Sequence, residues 1–266
     1  MSVSAGDRWA SGAAYDGYIG RWSRLVAPEF VDWLAQPAGL RWLDVGCGTG
    51  ILTRTILDRS APASVVGVDP SQPFVDHAGE AVADPRVTFR VGTADSTGCD
   101  DASVDAVVGG LVLNFVPDLG AALAEAQRVV RPGGVVAGYV WDYAAGMQLL
   151  RRFFDAAIAL DPEMRAHDEG VRFPITHEGR LAAAFVAAGL VDVDQRPVDV
   201  HTVFSDFDDL WTPFLRGTGP APAYVVSLDE PARTALRDRL RASLTEEPDG
   251  TIQLTARAWA VSGLRA

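Results

Sequence analysis

The chain of 266 residues is 48% apolar and carries 23 Lys+Arg against 35 Asp+Glu, a formal net charge of -12; it can bury one sizeable core, and its average field repels a phosphate backbone, which argues against nucleic acid as a partner. Every one of the 23 basic residues is Arg, and without Lys there is no Walker-type phosphate lysine, no Schiff base to pyridoxal phosphate and no kinase phosphate anchor. Cys47 and Cys99, the only two cysteines, are too few and too far apart for a disulfide framework or a zinc site, and are expected as reduced thiols.

In chain order, the segment "YDGYIGRWSRLVAPEFVDWL" opens with Tyr15, Tyr18 and Arg21 at spacings that put them on one helical face. Short apolar runs then alternate with helical patterns: "LRWLDVG" at 40–46, "ASVVGVD" at 63–69, "RVTFRVG" at 86–92, "VDAVVGGLVL" at 104–113 and "GVVAGYVW" at 134–141. These runs are continuous rather than alternating, which predicts strands covered on both faces. Residues 118–130, "DLGAALAEAQRVV", predict a helix capped by Asp118 and stopped by Pro132, Gly133 and Gly134. Repeated strand-helix-strand units of this kind build a parallel sheet with helices on both faces.

Beyond residue 142 the pattern changes. Helices are predicted over 146–160 and 176–188, with an unassigned polar stretch "DPEMRAHDEGVRFP" between them, then a strand "LVDVDQRPVDVHTVF" and an amphipathic helix near 229–244. The end, "TIQLTARAWAVSG", places Ile252, Leu254, Ala256, Ala258 and Ala260 on one side, as an antiparallel strand added to the sheet would. No apolar run approaches the roughly 20 residues of a membrane span, and the amino terminus has neither the basic start nor the apolar centre of a signal peptide. A cytoplasmic protein with no membrane partner is expected.

The stretch "LDVGCGTGILTR" carries the chemistry. A strand feeding a glycine-rich turn and a helix surrounds a ligand with backbone N–H groups and the positive end of the helix. The dinucleotide fingerprint needs a third glycine where Ile51 stands, and a P-loop needs Gly-Lys-Ser/Thr, which is absent. What remains is Asp44-x-Gly46-x-Gly48-x-Gly50. The next strand ends in Asp69, where an acid can accept both hydroxyls of a ribose, although an Asp there is as often a helix cap. Loop and acid together point to an adenosine-containing ligand.

"LDVGCGTG", "VVGVDPS", "SVDAVVGGLVLNFVPD" and "QRVVRPGGVVAGYVWD", in that order and spacing, resemble the successive motifs of the class I S-adenosylmethionine-dependent methyltransferases, of the small-molecule, type 11-like kind. The resemblance implies a doubly wound α/β fold: a Rossmann-like, mostly parallel seven-stranded sheet with an antiparallel last strand and a helical lid. It implies one domain over 1–266, with a helical cap at 1–39, a cofactor-binding core at 40–142, and sheet completion with substrate-lid insertions at 143–266. It implies S-adenosyl-L-methionine as cofactor and a small organic molecule as acceptor. Asp44 with the backbone of Gly46 and Gly48 would face the methionine part, Cys47 and Gly50 would complete the cofactor-binding loop, Asp69 would take the ribose and Pro70 flank the adenine, and Leu111 would line the floor near the sulfonium. In "GTADSTG" Thr93 stands where the family usually has Asp, leaving Ala94 to offer its backbone N–H and either Thr93 or Asp95 to meet the exocyclic amine. Tyr15 and Arg21 would close over the cofactor.

Methyl transfer is an in-line displacement that needs alignment in a dry pocket, and a base only if the acceptor must lose a proton. The lid candidates for acceptor contacts are Tyr15, Tyr18, Arg21 and Trp22, then Trp141, Asp142 and Tyr143, then Trp211, Phe214 and Arg216; aromatics at helical spacing are more often core. Among His77, His167, His177 and His201, the best candidate base is His167, with Tyr18 beside it as a catalytic candidate. Asn114 stands where many relatives carry His and cannot take a proton near neutral pH. The rival functions are a non-catalytic binder of the nucleoside and a nicotinamide oxidoreductase.

Overall fold

A computed structural model describes residues 20–217 and 219–266. In chain order the elements are α1 (Arg21–Leu34), β1 (Arg41–Val45), α2 (Ile51–Ser60), β2 (Ser64–Asp69), α3 (Gln72–Ala81), β3 (Val87–Val91), β4 (Val104–Gly110), α4 (Leu119–Val129), β5 (Val130–Trp141), α5 (Gln148–Leu160), α6 (Glu169–Arg172), α7 (Arg180–Ala187), β6 (Val191–Phe204), α8 (Phe207–Trp211), α9 (Pro220–Ser227), α10 (Glu230–Ala242) and β7 (Ile252–Leu264). The strands form one seven-stranded sheet in the order β3-β2-β1-β4-β5-β7-β6. Pairings β1–β2, β2–β3, β1–β4 and β4–β5 are parallel. β7 runs antiparallel to β5, as the mutual bonds Gly133 N–H to Arg265 O and Arg265 N–H to Gly134 O require. The doubly wound sheet with its antiparallel last strand is thus the one expected.

The described residues pack as two compact units: Ser23–Val140, Glu178–Val198 and Trp259–Ala266 make the first, and residues 20–22, Trp141–His177 and Asp199–Ala258 the second. In the first unit, Trp42, Leu43, Val65, Val68, Ala106, Val107 and Val136 are buried, so the continuous apolar runs are strands covered on both sides. α1 buries Val26, Ala27, Phe30 and Val31, with the Phe30 ring 4.7 Å from that of Tyr139. α4 is capped as expected, Asp118 Oδ1 accepting from Ala121 N–H at 2.9 Å.

Two boundaries differ from the sequence reading. Val129 ends α4 and β5 begins at once at Val130; Arg131 to Gly134 form an irregularity inside the strand, where Val104 pairs with Val130 but Ala106 with Val135, and Gly133 sits at φ +71°. Pro132 and the two glycines therefore bulge a strand already begun rather than separate helix from strand. β4 stops at Gly110, three residues short, because Leu111 takes φ +58° and turns the chain.

The second unit is mainly helical. Phe153 and Phe214 stack at 4.7 Å with rings 7° from parallel, and Phe153 meets Phe154 edge-on at 5.4 Å. The polar stretch 161–174 folds into a 3₁₀ turn and the short α6, begun by Asp161 and Asp168, which accept from the N–H groups of Glu163 and Gly170. Asp168 also receives a two-pronged bond from Arg151, at 3.0 and 2.6 Å. No helix among the described residues is long and apolar enough to cross a membrane.

Candidate functional site

The chemistry-bearing residues of the first unit converge outside the carboxyl ends of β1, β2 and β4. β1 is flanked by β2 on one side and β4 on the other, so the chain order reverses there, which is where open α/β sheets form a ligand crevice. The glycine loop leaves β1 with Gly46, Gly48 and Gly50 at φ +69°, +51° and +85°, left-handed conformations that side chains disfavour. Gly46 and Cys47 donate to Val68 O at 2.8 and 3.0 Å, tying the loop to β2, and Gly50 caps α2.

Asp44 is fully buried. Thr53 on α2 donates its hydroxyl to Asp44 Oδ2 at 2.6 Å, while Oδ1 is buried and has no partner. Burial, less the help of Thr53, raises this carboxyl to about 7. A buried carboxylate oxygen with no donor of its own costs free energy and suits a cation brought by a ligand. Thr53→Val, which removes that donor, is expected to raise the Asp44 pKa further, by about one unit, measurable as a shift in the pH profile of stability; an unshifted profile would contradict this account of Asp44.

Asp69, at the end of β2, is buried as well. Its Oδ2 accepts from Gly48 N–H at 3.1 Å and its Oδ1 from Ser71 N–H at 2.9 Å, so it bridges the glycine loop to the turn before α3. The cap position of α3 is Ser71, not Asp69. Burial raises the Asp69 pKa against the two backbone donors, and each oxygen keeps lone-pair capacity for a hydroxyl. Cys47, buried among these acids, has its thiol pushed up and stays protonated. Pro70 is exposed beside Asp69.

The turn after β3 carries Thr93 and Asp95, both exposed, and Ala94, half-buried. Thr93 and Ser96 exchange backbone bonds at 3.2 and 3.1 Å. Sequence reasoning missed what holds this turn: Glu125 on α4 accepts from Thr97 N–H and hydroxyl at 2.9 and 2.6 Å, and from Arg128 at 2.7 Å. Arg128 beside it holds the Glu125 carboxyl down at about 2. It also missed Val112. The turn at Leu111 seats Val112 against Gly46, where a β-carbon would lie 2.3 Å from Val112 Cγ2; no periodicity signals a contact between residues 66 positions apart. Asn114 is buried with its Nδ2 unpartnered.

The remaining candidates among the described residues belong to the second unit. His167 is exposed, at the end of the 3₁₀ turn Pro162–Ala166. Trp211 and Phe214 are core residues of that unit, and Trp22 packs edge-on against Phe204 at 5.7 Å, so packing accounts for these rings. Asp142 is buried and accepts from Ala145 N–H at 3.0 Å. Tyr15, Tyr18 and the side chain of Arg21 lie outside the described residues.

Residues 43–138 match the model of a family described as "Methyltransferase domain". A demethylmenaquinone methyltransferase of Roseiflexus castenholzii is 37% identical over 178 residues, 62% of this chain and 73% of that protein. An uncharacterized methyltransferase of Mycobacterium tuberculosis is 37% identical over 142 residues, 53% of this chain and 56% of that one, so the chain spans about half the length of that relative. Among solved structures, a putative type II methyltransferase from Anaeromyxobacter dehalogenans superposes with a TM-score of 0.64 over 90% of this chain and 96% of that one, at 23% identity, a likeness of fold. With Asp44, the glycine loop and Asp69 assembled at one sheet edge, and a relative matched over nearly three quarters of its length, the chain belongs to the class I S-adenosylmethionine-dependent methyltransferases.

Proposed function

We propose that the protein binds S-adenosylmethionine in the crevice above β1, β2 and β4 and transfers its methyl group to a small organic acceptor. The observation that carries the reading is the buried, unpartnered Oδ1 of Asp44 beside three left-handed glycines, which fits the ammonium of the cofactor's amino-acid half. Asp69 would hold the ribose hydroxyls, and the turn Thr93–Asp95 the adenine edge.

When bound, the cofactor supplies a methyl group on a positively charged sulfur. The chain's part is to hold and align: Asp44 draws in the ammonium, and the loop, already tied to β2 through its own amides, needs no reorganisation. Asn114 takes no proton. Where an acceptor must be deprotonated, His167 is the candidate base, with Tyr18 the other catalytic candidate. The acidity of the chain supports a small acceptor over nucleic acid, and the name of the Roseiflexus relative favours an apolar or aromatic ring compound. Reduced thiols and this acceptor class suit a cytoplasmic enzyme.

Calorimetric titration of the whole protein with S-adenosylhomocysteine and, separately, NADH tests the cofactor; binding of NADH alone would overturn the reading. Labelled S-adenosylmethionine incubated with a metabolite extract tests the transfer. Tight binding with no labelled small product would mark a binder and not an enzyme. Asp69→Ala is expected to weaken S-adenosylhomocysteine and adenosine alike by about 10- to 100-fold, the equivalent of one or two charge-assisted hydrogen bonds; unchanged adenosine affinity would remove Asp69 from the ribose site.

A further inference from the structure

Among the side-chain polar atoms of the first unit that are buried without a partner, two beside the glycine loop and the turn after β4 are chemically opposite. Asp44 Oδ1 is an acceptor and Asn114 Nδ2 a donor. They leave the two strands that flank the point where the chain order reverses: Asp44 is in β1, Asn114 follows β4, and the two strands are paired from Trp42–Ala106 to Asp44–Val108. Both lie two residues from one contact. Gly46 follows Asp44 by two, Val112 precedes Asn114 by two, and the Val112 methyls rest against Gly46.

The backbone of the second segment is fixed. Leu111 sits at φ +58° with its N–H bonded to Tyr139 O at 2.8 Å, and Phe115 N–H closes the turn on Val112 O at 2.8 Å. A strained, pinned turn that leaves a buried amide N–H unsatisfied is the kind of arrangement retained where a ligand supplies the missing partner. A group with a cation at one end and an anion at the other, on a single carbon, would satisfy both orphans at once.

Resting on the function proposed above, we propose that Asn114 is a cofactor-binding residue: its Nδ2 donates to the α-carboxylate of the bound S-adenosyl compound, while Asp44 takes the α-ammonium of the same carbon. The pair is a clamp for an α-amino acid zwitterion. It leaves Asn114 unavailable to the acceptor, so the acceptor's oxygen or nitrogen is recognised elsewhere.

The test is calorimetry on the full chain with three probes: S-adenosylhomocysteine, decarboxylated S-adenosylmethionine, which keeps the ammonium, and methylthioadenosine, which has neither group. Asn114→Leu fills the same space without a buried donor and is expected to leave the ligand-free protein folded; Asn114→Ser is the second variant should it fail. Either is expected to weaken S-adenosylhomocysteine about tenfold and to leave the other two probes within about twofold. Asp44→Asn is expected to weaken the first two probes and spare methylthioadenosine. Equal affinity of wild type and Asn114 variants for S-adenosylhomocysteine overturns the clamp, as does an equal loss for decarboxylated S-adenosylmethionine. Wild-type protein that binds none of the three overturns the cofactor reading itself, and the clamp with it.

Discussion

Asp44→Asn is expected to stabilise the ligand-free protein near neutral pH while weakening S-adenosylhomocysteine by roughly 30- to several-thousand-fold, the effect of removing one partner of a buried charge pair. The sign follows from the raised carboxyl. Asp44 rises from 3.8 to about 7 on folding, so the folded state holds a proton that the unfolded state has lost between those values. Its contribution to stability is complete below about pH 4 and is lost as pH rises through 7, a swing of about 4 kcal/mol at about 1.4 kcal/mol per unit. Asp69, also raised, acts in the same direction. The carboxyls held low by Arg partners, Asp105 beside Arg41 and Glu125 beside Arg128, act in the opposite direction, but only below about pH 5. Urea unfolding from pH 4 to 8 should therefore show wild-type stability falling steeply with pH and the variant falling less, by the share that Asp69 still contributes. Because the ammonium needs the ionised carboxylate, wild-type affinity should drop about tenfold per unit below pH 7 and that of the variant should not. A wild-type protein equally stable at pH 4.5 and 7 would contradict the buried, unpartnered state of Asp44.

Gly46→Ala should lower stability by about 2–4 kcal/mol and remove measurable cofactor binding. Two costs combine. An alanine at φ +69° is strained by about 1–2 kcal/mol, and its β-carbon would stand 2.3 Å from Val112 Cγ2 and 2.7 Å from Val112 Cβ. The second distance reaches the root of the side chain, so rotation cannot relieve it and the turn at 111–114 must shift. Gly39 separates the costs, since it has φ +83° with nothing within 4 Å of a β-carbon. Gly39→Ala should lose the conformational share alone, about 1–2 kcal/mol. Denaturant midpoints for both variants check this, and equal losses would mean that Val112 does not press on the loop.

The backbone of the candidate site was legible because its signals are local. Strand, glycine turn, helix and the acid ending the second strand lie within residues 40–69, and steric limits over a few residues dictate their conformation. Asp118 as a cap and the alternation of the last strand were legible for the same reason. The "RPGG" stretch misled because glycine and proline mark a break without saying of what kind; pairing with β4 makes β5 start before them. The sequence left the aromatics near 211–214 open, with core the more frequent outcome, because a ring at helical spacing has the same pattern whether it lines a pocket or fills a core; Phe153, distant in sequence, stacks on Phe214 in the core.

The succession of strands and helices along the first half of the chain, the glycine loop at Asp44–Gly50 and the acid at position 69 were determined by the sequence alone, through apolar run lengths and residues that only certain dihedrals tolerate; their order in the sheet was not. The tertiary structure decided which polar groups end without partners, Asp44 Oδ1 and Asn114 Nδ2, and which side chain presses on Gly46. Desolvation and close contact depend on everything that surrounds an atom, and that surrounding is assembled from strands far apart along the chain.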